Sequence, residues 1–214
     1  MSWNPVNHYQ DETVAAKYDE SRFSSLAGRA FAALERRLVA RAFAGLAPGA
    51  LVLDLPCGTG RLAELLLSEG YRVVGADISP AMLRVAKERL LPFGDRFTTI
   101  VVDARRLDGK GPRYDGALCA RVLMHFPLAE QVEFLAGVAR ATNGPVVFTQ
   151  SIDSPYQRFR RFIKGLLRHR QPARYPLTER DLAALLAGAG LKLRKRYRLL
   201  PVVSEAMIVV AERC

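Results

Sequence analysis

Short apolar runs alternate with longer amphipathic segments along most of the chain of 214 residues. A short apolar run predicts a buried strand, whereas apolar residues spaced three and four apart predict a helix buried on one face. The predicted strands lie at about 50–55, 71–76, 97–102, 114–120, 145–151, 191–199 and 203–211. The predicted helices lie at about 13–27, 29–46 and 60–69, from Pro80 onward, at about 128–140, and from Thr178 to Gly188.

The order of these elements predicts the fold class. Each of the first five strands is separated from the next by a helix or crossover, which predicts a largely parallel sheet with helices on both faces. The last two strands, joined through Leu200-Pro201, predict an antiparallel hairpin. The chain has no internal repeat and no Ser/Gly-rich linker. We therefore predict one domain at 29–214, preceded by a helical extension at 1–28.

The stretch from Leu51 to Arg61 predicts a strand, a tight turn and the start of a helix. Gly58 and Gly60 lack side chains, so that a ligand can approach the backbone of the turn. The following helix directs free N–H groups and a partial positive charge at the turn, whereas Asp54 supplies a negative charge at the strand end. Donors for a carboxylate and an acceptor for an ammonium on one rim suit an amino-acid-like ligand.

The same turn also fits a loose dinucleotide fingerprint, G-x-G-x-x-A, at Gly58 to Ala63. A dinucleotide turn has to accept a pyrophosphate, and an ionised Asp54 would repel one. This disfavours a nicotinamide oxidoreductase but leaves it as an alternative, which predicts binding of NAD.

Three acids, Asp54, Asp77 and Asp103, end three successive predicted strands. In an open parallel sheet these strand ends share one edge, which is where ligands bind. Asp77 lies about twenty residues beyond the glycine turn, the spacing at which an acid accepts hydrogen bonds from ribose hydroxyls. Each aspartate alone is also compatible with a loop-capping role, but the three together favour a nucleoside ligand.

The run Asp54-Leu55-Pro56-Cys57-Gly58-Thr59-Gly60 resembles motif I of the class I S-adenosylmethionine (SAM)-dependent methyltransferases. The order of elements from about residue 29 to 212 is similar to that family as well. The resemblance implies an α/β, Rossmann-like, doubly wound sheet of seven strands, six parallel and the last antiparallel, with a C-terminal hairpin. It also implies SAM as cofactor and S-adenosylhomocysteine as product.

The resemblance further implies a set of cofactor-binding residues. The methionine end of SAM is expected at the turn, Asp77 at the ribose, Asp103-Ala104 at the adenine, and Ile78 and Met82 on the adenine faces. Arg121 is expected to complete the pocket, and Tyr18 to lie in an extension folded over the cofactor. For Tyr18 the alternative is ordinary helix packing. The turn residues in this set are Asp54, Pro56, Cys57, Gly58, Thr59 and Gly60.

The segment after the fourth strand holds the candidates for acceptor chemistry. His125 is a candidate general base because imidazole titrates near neutral pH; the alternative is a capping or loop hydrogen bond. Arg121 is also a candidate anchor for an acidic group of the substrate, and the alternative is a surface salt bridge.

A basic amphipathic insert at about 152–177 interrupts the alternation of strands and helices. From Arg158 to Arg174 it contains seven basic residues and no acid, with apolar residues at helical spacing. Arg160, Arg161 and Lys164 are candidate contacts to an anionic substrate or a lipid head group. The alternative is a cover helix whose charged face is only solvated.

Composition changes this interpretation in one respect. The net charge of +11 favours anionic partners, including nucleic acid, an acidic lipid surface or a phosphorylated small molecule. Three dispersed cysteines without a C-x-x-C pair predict reduced thiols, and three histidines without a zinc-like spacing predict no metal site. With no signal peptide and no transmembrane segment, we expect a cytoplasmic protein that contacts membranes at most peripherally.

The predicted activity is transfer of a methyl group from SAM to an O, N or C nucleophile of a small or medium-sized acceptor, with anionic and lipid-linked acceptors as candidates. RNA methylation is an alternative that predicts a steep dependence on salt. The chain lacks the Asn/Asp-Pro-Pro-Tyr type of motif that accompanies methylation of base amines. A non-catalytic SAM-binding or basic docking protein is an alternative of another class.

Overall fold

A computed structural model describes residues 25–103, 107, 111, 113–153, 175–199 and 206–214. Predictions that fall outside these residues concern Tyr18, Ala104, the basic residues Arg160, Arg161 and Lys164, and most of the predicted helix at 13–27. None of the helices within the described part is long and apolar enough to cross a membrane.

The described residues form five α-helices and seven strands. The helices are α1 (Leu26–Phe43), α2 (Arg61–Ser68), α3 (Pro80–Leu90), α4 (Leu128–Ala141) and α5 (Glu179–Gly188), with 3₁₀ turns at Leu91–Arg96 and Leu123–His125. The strands are β1 (Leu51–Asp54), β2 (Arg72–Asp77), β3 (Phe97–Val101), β4 (Gly116–Cys119), β5 (Val146–Ser151), β6 (Leu191–Arg198) and β7 (Ala206–Arg213).

The strands form one sheet in the order β3-β2-β1-β4-β5-β7-β6. Strands β1 to β5 pair in parallel, whereas β7 pairs antiparallel with both β5 and β6. The predicted α/β sheet with six parallel strands, one antiparallel strand and a terminal hairpin is therefore confirmed. Strand order reverses between β1 and β4, and the carboxyl ends on either side of this point border a crevice that is typical of ligand sites.

Side chains alternate between the two faces of the sheet and build a core on each. Along β1, Val52 packs with the cluster formed by α1, α2 and α3, whereas Leu53 packs with the cluster formed by α4 and α5. Phe43 of α1 and Phe134 of α4 are fully buried on opposite faces. Two helical layers therefore hold β1 rigidly in the middle of the molecule.

Helix starts follow the local signals in the sequence. Ser79 caps α3 by accepting from Met82 N at 3.2 Å, with Pro80 in the first turn. Thr178 caps α5, in a reciprocal capping box with Asp181.

Helix α1 lies about three residues earlier than predicted and crosses the boundary expected at residue 28. Ser25 caps it by accepting from Gly28 N at 3.1 Å. At its other end Phe43 O accepts hydrogen bonds from Leu46 N at 2.9 Å and from the Tyr71 hydroxyl at 2.8 Å. These bonds turn the chain toward β1 before Pro48-Gly49.

Candidate active site

The turn after β1 is bonded to the neighbouring strand β2. It begins with a cis Leu55–Pro56 peptide. Cys57 N donates to Ala76 O at 2.8 Å, and Gly60 N donates to Cys57 O at 3.1 Å. The turn therefore has a defined shape at the carboxyl end of the central strand.

The two glycines of this turn serve different purposes. Both have positive φ, 55° at Gly58 and 78° at Gly60, where a side chain is disfavoured. A Cβ at Gly60 would lie 2.9 Å from Leu90 Cδ1 and 3.1 Å from Ala86 Cβ, so that glycine also lets α2 start against α3. A Cβ at Gly58 would meet nothing within 4 Å. Gly58 therefore leaves open space beside the backbone of the turn.

Asp77, at the end of β2, binds the turn from the side. Its Oδ2 accepts from Gly58 N at 2.8 Å and its Oδ1 accepts from Ser79 N at 2.9 Å. Burial raises the pKa of this carboxyl, and the backbone hydrogen bonds partly oppose that effect. The carboxylate can accept more hydrogen bonds than the backbone supplies, which leaves capacity for a hydroxyl of a ligand.

Asp54 is buried in a different way. It is 1% exposed, and its Oδ2 has no hydrogen-bond partner. Burial raises the pKa of Asp54 to about 8; the charge of Asp77 adds to the increase, and the charge of Arg61 opposes it. The argument against a pyrophosphate assumed an ionised Asp54, and the raised pKa weakens that argument for the ligand-free protein.

This geometry fits the methionine end of SAM. A buried carboxyl oxygen that lacks a donor is costly, and a ligand ammonium would satisfy it. The space beside Gly58 is open, and the N-terminus of α2, which has no side-chain cap, can bind a carboxylate nearby. The donor set therefore suits an amino-acid moiety.

The residues predicted to meet the adenine lie along the next two strand ends. Asp103 follows β3 and is half-buried, as is Ile78 after β2. Met82 is buried in the first turn of α3 and packs against Ala81 and Val85. The structure thus places Ile78 and Asp103 near one edge of the sheet, with Met82 forming the apolar layer beneath.

The loop after β4 is fixed at three points. Arg121 N donates to Thr149 Oγ1 of β5 at 2.5 Å, and Met124 O accepts from Tyr175 N at 2.9 Å. Phe126 O accepts from the buried amide of Gln131 at 2.8 Å. His125 lies between these points, half-buried in the 3₁₀ turn. The structure thus places His125 on the same sheet edge as the glycine turn.

A buried ionic cluster behind the pocket was not predicted. Glu35 of α1 is 1% exposed, hydrogen bonds the guanidinium of Arg61, and lies 3.7 Å from Nε of Arg121. The Arg121 guanidinium also lies 5.6 Å from the ring centre of Phe31. The structure therefore places Arg121 in an ion pair, the alternative considered for it, although a partly buried one. One signal could have revealed Glu35: it lies one turn from both Phe31 and Val39, on the buried face of α1.

Over the described ranges we find no group of three or more His, Cys, Asp or Glu side chains that could hold a metal ion.

Comparison with known proteins gives consistent matches. Residues 52–144 match a family model described as a methyltransferase domain. The chain is 36% identical to magnesium-protoporphyrin O-methyltransferase of Synechocystis over 98 residues. This matched stretch covers 44% of this chain and 41% of that protein. It is also 33% identical to ubiquinone biosynthesis O-methyltransferase of Escherichia coli over 155 residues. This matched stretch covers 68% of this chain and 64% of that protein. The chain thus spans less than two thirds of these curated relatives.

Among solved structures, the magnesium protoporphyrin IX methyltransferase of Synechocystis with bound S-adenosylhomocysteine superposes with a TM-score of 0.74. The two chains are 22% identical, and the match covers 95% of this chain and 100% of the other. At this identity the likeness establishes the fold.

The strand order and the glycine turn beside two strand-end acids define a Rossmann-like methyltransferase fold. Together with the methyltransferase domain model that matches residues 52–144, from β1 to beyond α4, this fold supports a class I SAM-dependent methyltransferase domain in this chain.

Proposed function

We propose that this protein transfers the methyl group of SAM to an oxygen atom of a small, anionic acceptor. The observation that carries the cofactor part is the buried Oδ2 of Asp54, which lacks a donor and lies at the end of β1 beside the open Gly58 turn. The preference for oxygen comes from the relatives, which are named O-methyltransferases.

The pocket residues divide into groups that match the parts of SAM. Asp54 would accept from the ammonium, the turn would face the methionine end, and Asp77 would accept from the ribose hydroxyls. Ile78, Met82 and Asp103 with its neighbour Ala104 would enclose the adenine. Bound SAM supplies a methyl group already activated by a sulfonium, so the protein has mainly to position the acceptor and exclude water.

We assign the acceptor side to the loop after β4. His125 would take a proton from an acceptor hydroxyl, for which its half-buried position on the same sheet edge is the support. The ends of the basic insert lie on the same edge, since Asp153 N donates to Leu177 O and Leu177 N donates to Ser151 O, each at 2.9 Å. On this basis Arg160, Arg161 and Lys164, outside the described residues, are proposed to bind an anionic group of the acceptor.

The test is a methyl-transfer assay in which S-adenosylhomocysteine is measured by mass spectrometry. The protein is incubated with SAM and a panel of phenols, carboxylic acids and structured RNA. We expect turnover with an acidic small molecule. His125→Ala should lower kcat roughly 100-fold while the Kd for SAM stays unchanged. An unchanged kcat would exclude the general-base role.

RNA is included because the net charge of +11 favours a nucleic acid. Turnover with RNA alone, falling steeply as salt rises, would replace the small-molecule proposal. Binding of SAM without turnover on any acceptor would favour a non-catalytic SAM-binding protein.

A further inference from the structure

Glu35 joins two walls of the candidate pocket. Arg61 is the first residue of α2, directly after the glycine turn, whereas Arg121 begins the loop after β4. Both guanidiniums approach the same carboxylate of α1, which is 1% exposed. Burying a carboxylate to this extent is costly unless it is paired, and these two guanidiniums are its partners.

The contacts of Arg121 are specific. It is the only non-glycine residue with positive φ in the described part of the chain, at 63°, a conformation that costs energy and persists only when its surroundings enforce it. Phe31 and Glu35, one turn apart on α1, both contact its guanidinium. Helix α1 therefore contributes directly to the shape of the pocket wall.

A second ion pair between α1 and α2 provides a comparison. Arg36 Nη1 lies 3.9 Å from Glu64 Oε2, and the side chains of both residues are more than a third exposed. Such a pair contributes little. The Glu35 cluster thus differs from ordinary helix-to-helix contact in its burial and in its position beside the pocket.

Charge connects this cluster to Asp54. The Asp54 carboxyl is affected by Asp77 of β2, by Arg61 of α2, and by hydrogen bonds from the Cys57 thiol and the Ala63 N–H. The Cys119 thiol of β4 also interacts with Asp54, and burial raises the pKa of that thiol, so it stays uncharged over the range considered. Among them Arg61 is the only charged group that favours the ionised form, and its guanidinium hydrogen bonds to Glu35. The negative charge of Glu35 offsets part of the positive charge of Arg61. Removing it would therefore favour the ionised form of Asp54 and lower the pKa of that carboxyl.

We propose that Glu35 is a positioning residue of the cofactor pocket: through its bond to Arg61 it sets the charge experienced by Asp54, and through Arg121 it shapes the opposite wall. This inference rests on the proposed SAM-binding function and extends it. Asp54 binds the ligand ammonium in its ionised form, so Glu35 controls the pH range over which SAM binds.

The experiment is calorimetric titration with SAM from about pH 6 to about pH 9, which brackets the ionisation of Asp54. In the unmodified protein the affinity should increase as the pH rises toward about 8, because Asp54 loses its proton, and should decrease above it, because the ammonium of SAM loses its own. Glu35→Gln should move this profile to lower pH by about half a unit. Glu35→Asp keeps the charge, so its profile should lie close to that of the unmodified protein. Glu64→Gln should leave the profile unchanged.

Arg61→Gln gives an opposite expectation, since removing the positive charge should move the profile to higher pH. It also keeps the inference testable if Glu35→Gln does not fold. The ammonium of SAM titrates equally in all variants, so differences between profiles belong to the protein.

Two results would overturn the inference: profiles of Glu35→Gln or Arg61→Gln that superpose on the unmodified protein, or profiles of both that move in the same direction. A purely structural role would lower the melting temperature of Glu35→Gln without moving its profile. If the unmodified protein binds no SAM, the proposed function fails, and the inference fails with it.

Discussion

Two aspartates at neighbouring strand ends have the same side chain but different hydrogen bonds. Both oxygens of Asp77 accept backbone N–H groups at 2.8 and 2.9 Å, which hold the turn. Asp54 Oδ2 has no partner, and the carboxyl is buried. Asp77 therefore stabilises the pocket before a ligand binds. The burial of Asp54 Oδ2, in contrast, becomes favourable only when a ligand supplies a donor.

The raised pKa of Asp54 predicts how pH affects the stability of the ligand-free protein. In the folded protein the pKa of Asp54 is about 8, above the usual 3.8. The stabilisation that comes from burying the protonated carboxyl is therefore complete below pH 3.8 and is lost as the pH rises through about 8. Asp54→Asn should therefore be more stable than the unmodified protein near pH 9, by on the order of a few kcal/mol. Urea denaturation at about pH 5 and about pH 9 measures this difference, which should be larger at the higher pH.

The same variant should lose most of its affinity for SAM, because the amide cannot pair with the ammonium as a charged carboxylate does. A conservative control is Asp115→Asn. Asp115 Oδ2 accepts from Leu51 N at 2.8 Å, at the opposite end of β1 from the pocket. If Asp54→Asn and Asp115→Asn affected SAM affinity equally, Asp54 would not be a ligand contact.

At the scale of the element, the turn between β1 and α2 determines where a ligand can approach the backbone. Gly60 is required for packing, because a Cβ there would lie 2.9 Å from Leu90 Cδ1. A Cβ at Gly58 would have no other atom within 4 Å. Only Gly58 leaves room for a ligand.

Gly58→Ala tests this distinction, with Gly49→Ala as its matched control. Both glycines have positive φ, 55° and 77°, and neither would bring a Cβ within 4 Å of another atom. Each substitution should cost about 1 kcal/mol of stability, because a Cβ is disfavoured in the left-handed region. Only Gly58→Ala should also weaken SAM binding, by roughly tenfold or more if the Cβ blocks the ligand, since tenfold is about 1.4 kcal/mol. Equal affinities would contradict the position given to the methionine end.

The elements themselves were largely predictable from sequence, because their signals are local. The apolar strand, the acid at its end and the glycines of Asp54–Gly60 lie within a few residues, as do the caps at Ser79 and Thr178. The Glu35 cluster was not predictable in this way. Arg61, the hydrogen-bond partner of Glu35, is 26 residues distant in sequence, and only the fold brings α1 against the start of α2. The protonation of Asp54 also depends on burial, which the sequence does not give.

At the scale of the whole molecule, the excess of positive charge is spread over several surfaces. Strand β6 carries a basic run, but Lys192 and Arg194 each lie 3.1 Å from Glu212, and Arg196 pairs with Glu179. These cations are partly neutralised by neighbours in the fold. The basic insert is the other concentration of charge in the sequence, and it contains no acid from Arg158 to Arg174.

Two triple variants separate these surfaces. Replacing Arg160, Arg161 and Lys164 by Gln should raise KM for an anionic acceptor by roughly tenfold and leave the Kd for SAM unchanged. Replacing Lys192, Arg194 and Lys195 removes the same charge from β6 and should affect KM much less. Steady-state kinetics at constant salt measures both, and equal effects would mean that only net charge matters.

The most direct test of the central claim is calorimetric titration of the protein with SAM, S-adenosylhomocysteine and NAD at constant salt. We predict binding of both adenosyl ligands, no binding of NAD, and weaker binding of SAM in Asp77→Ala, which lacks the acceptor for the ribose. Binding of NAD alone, or SAM affinity that does not change in Asp77→Ala, would contradict the assignment of this pocket.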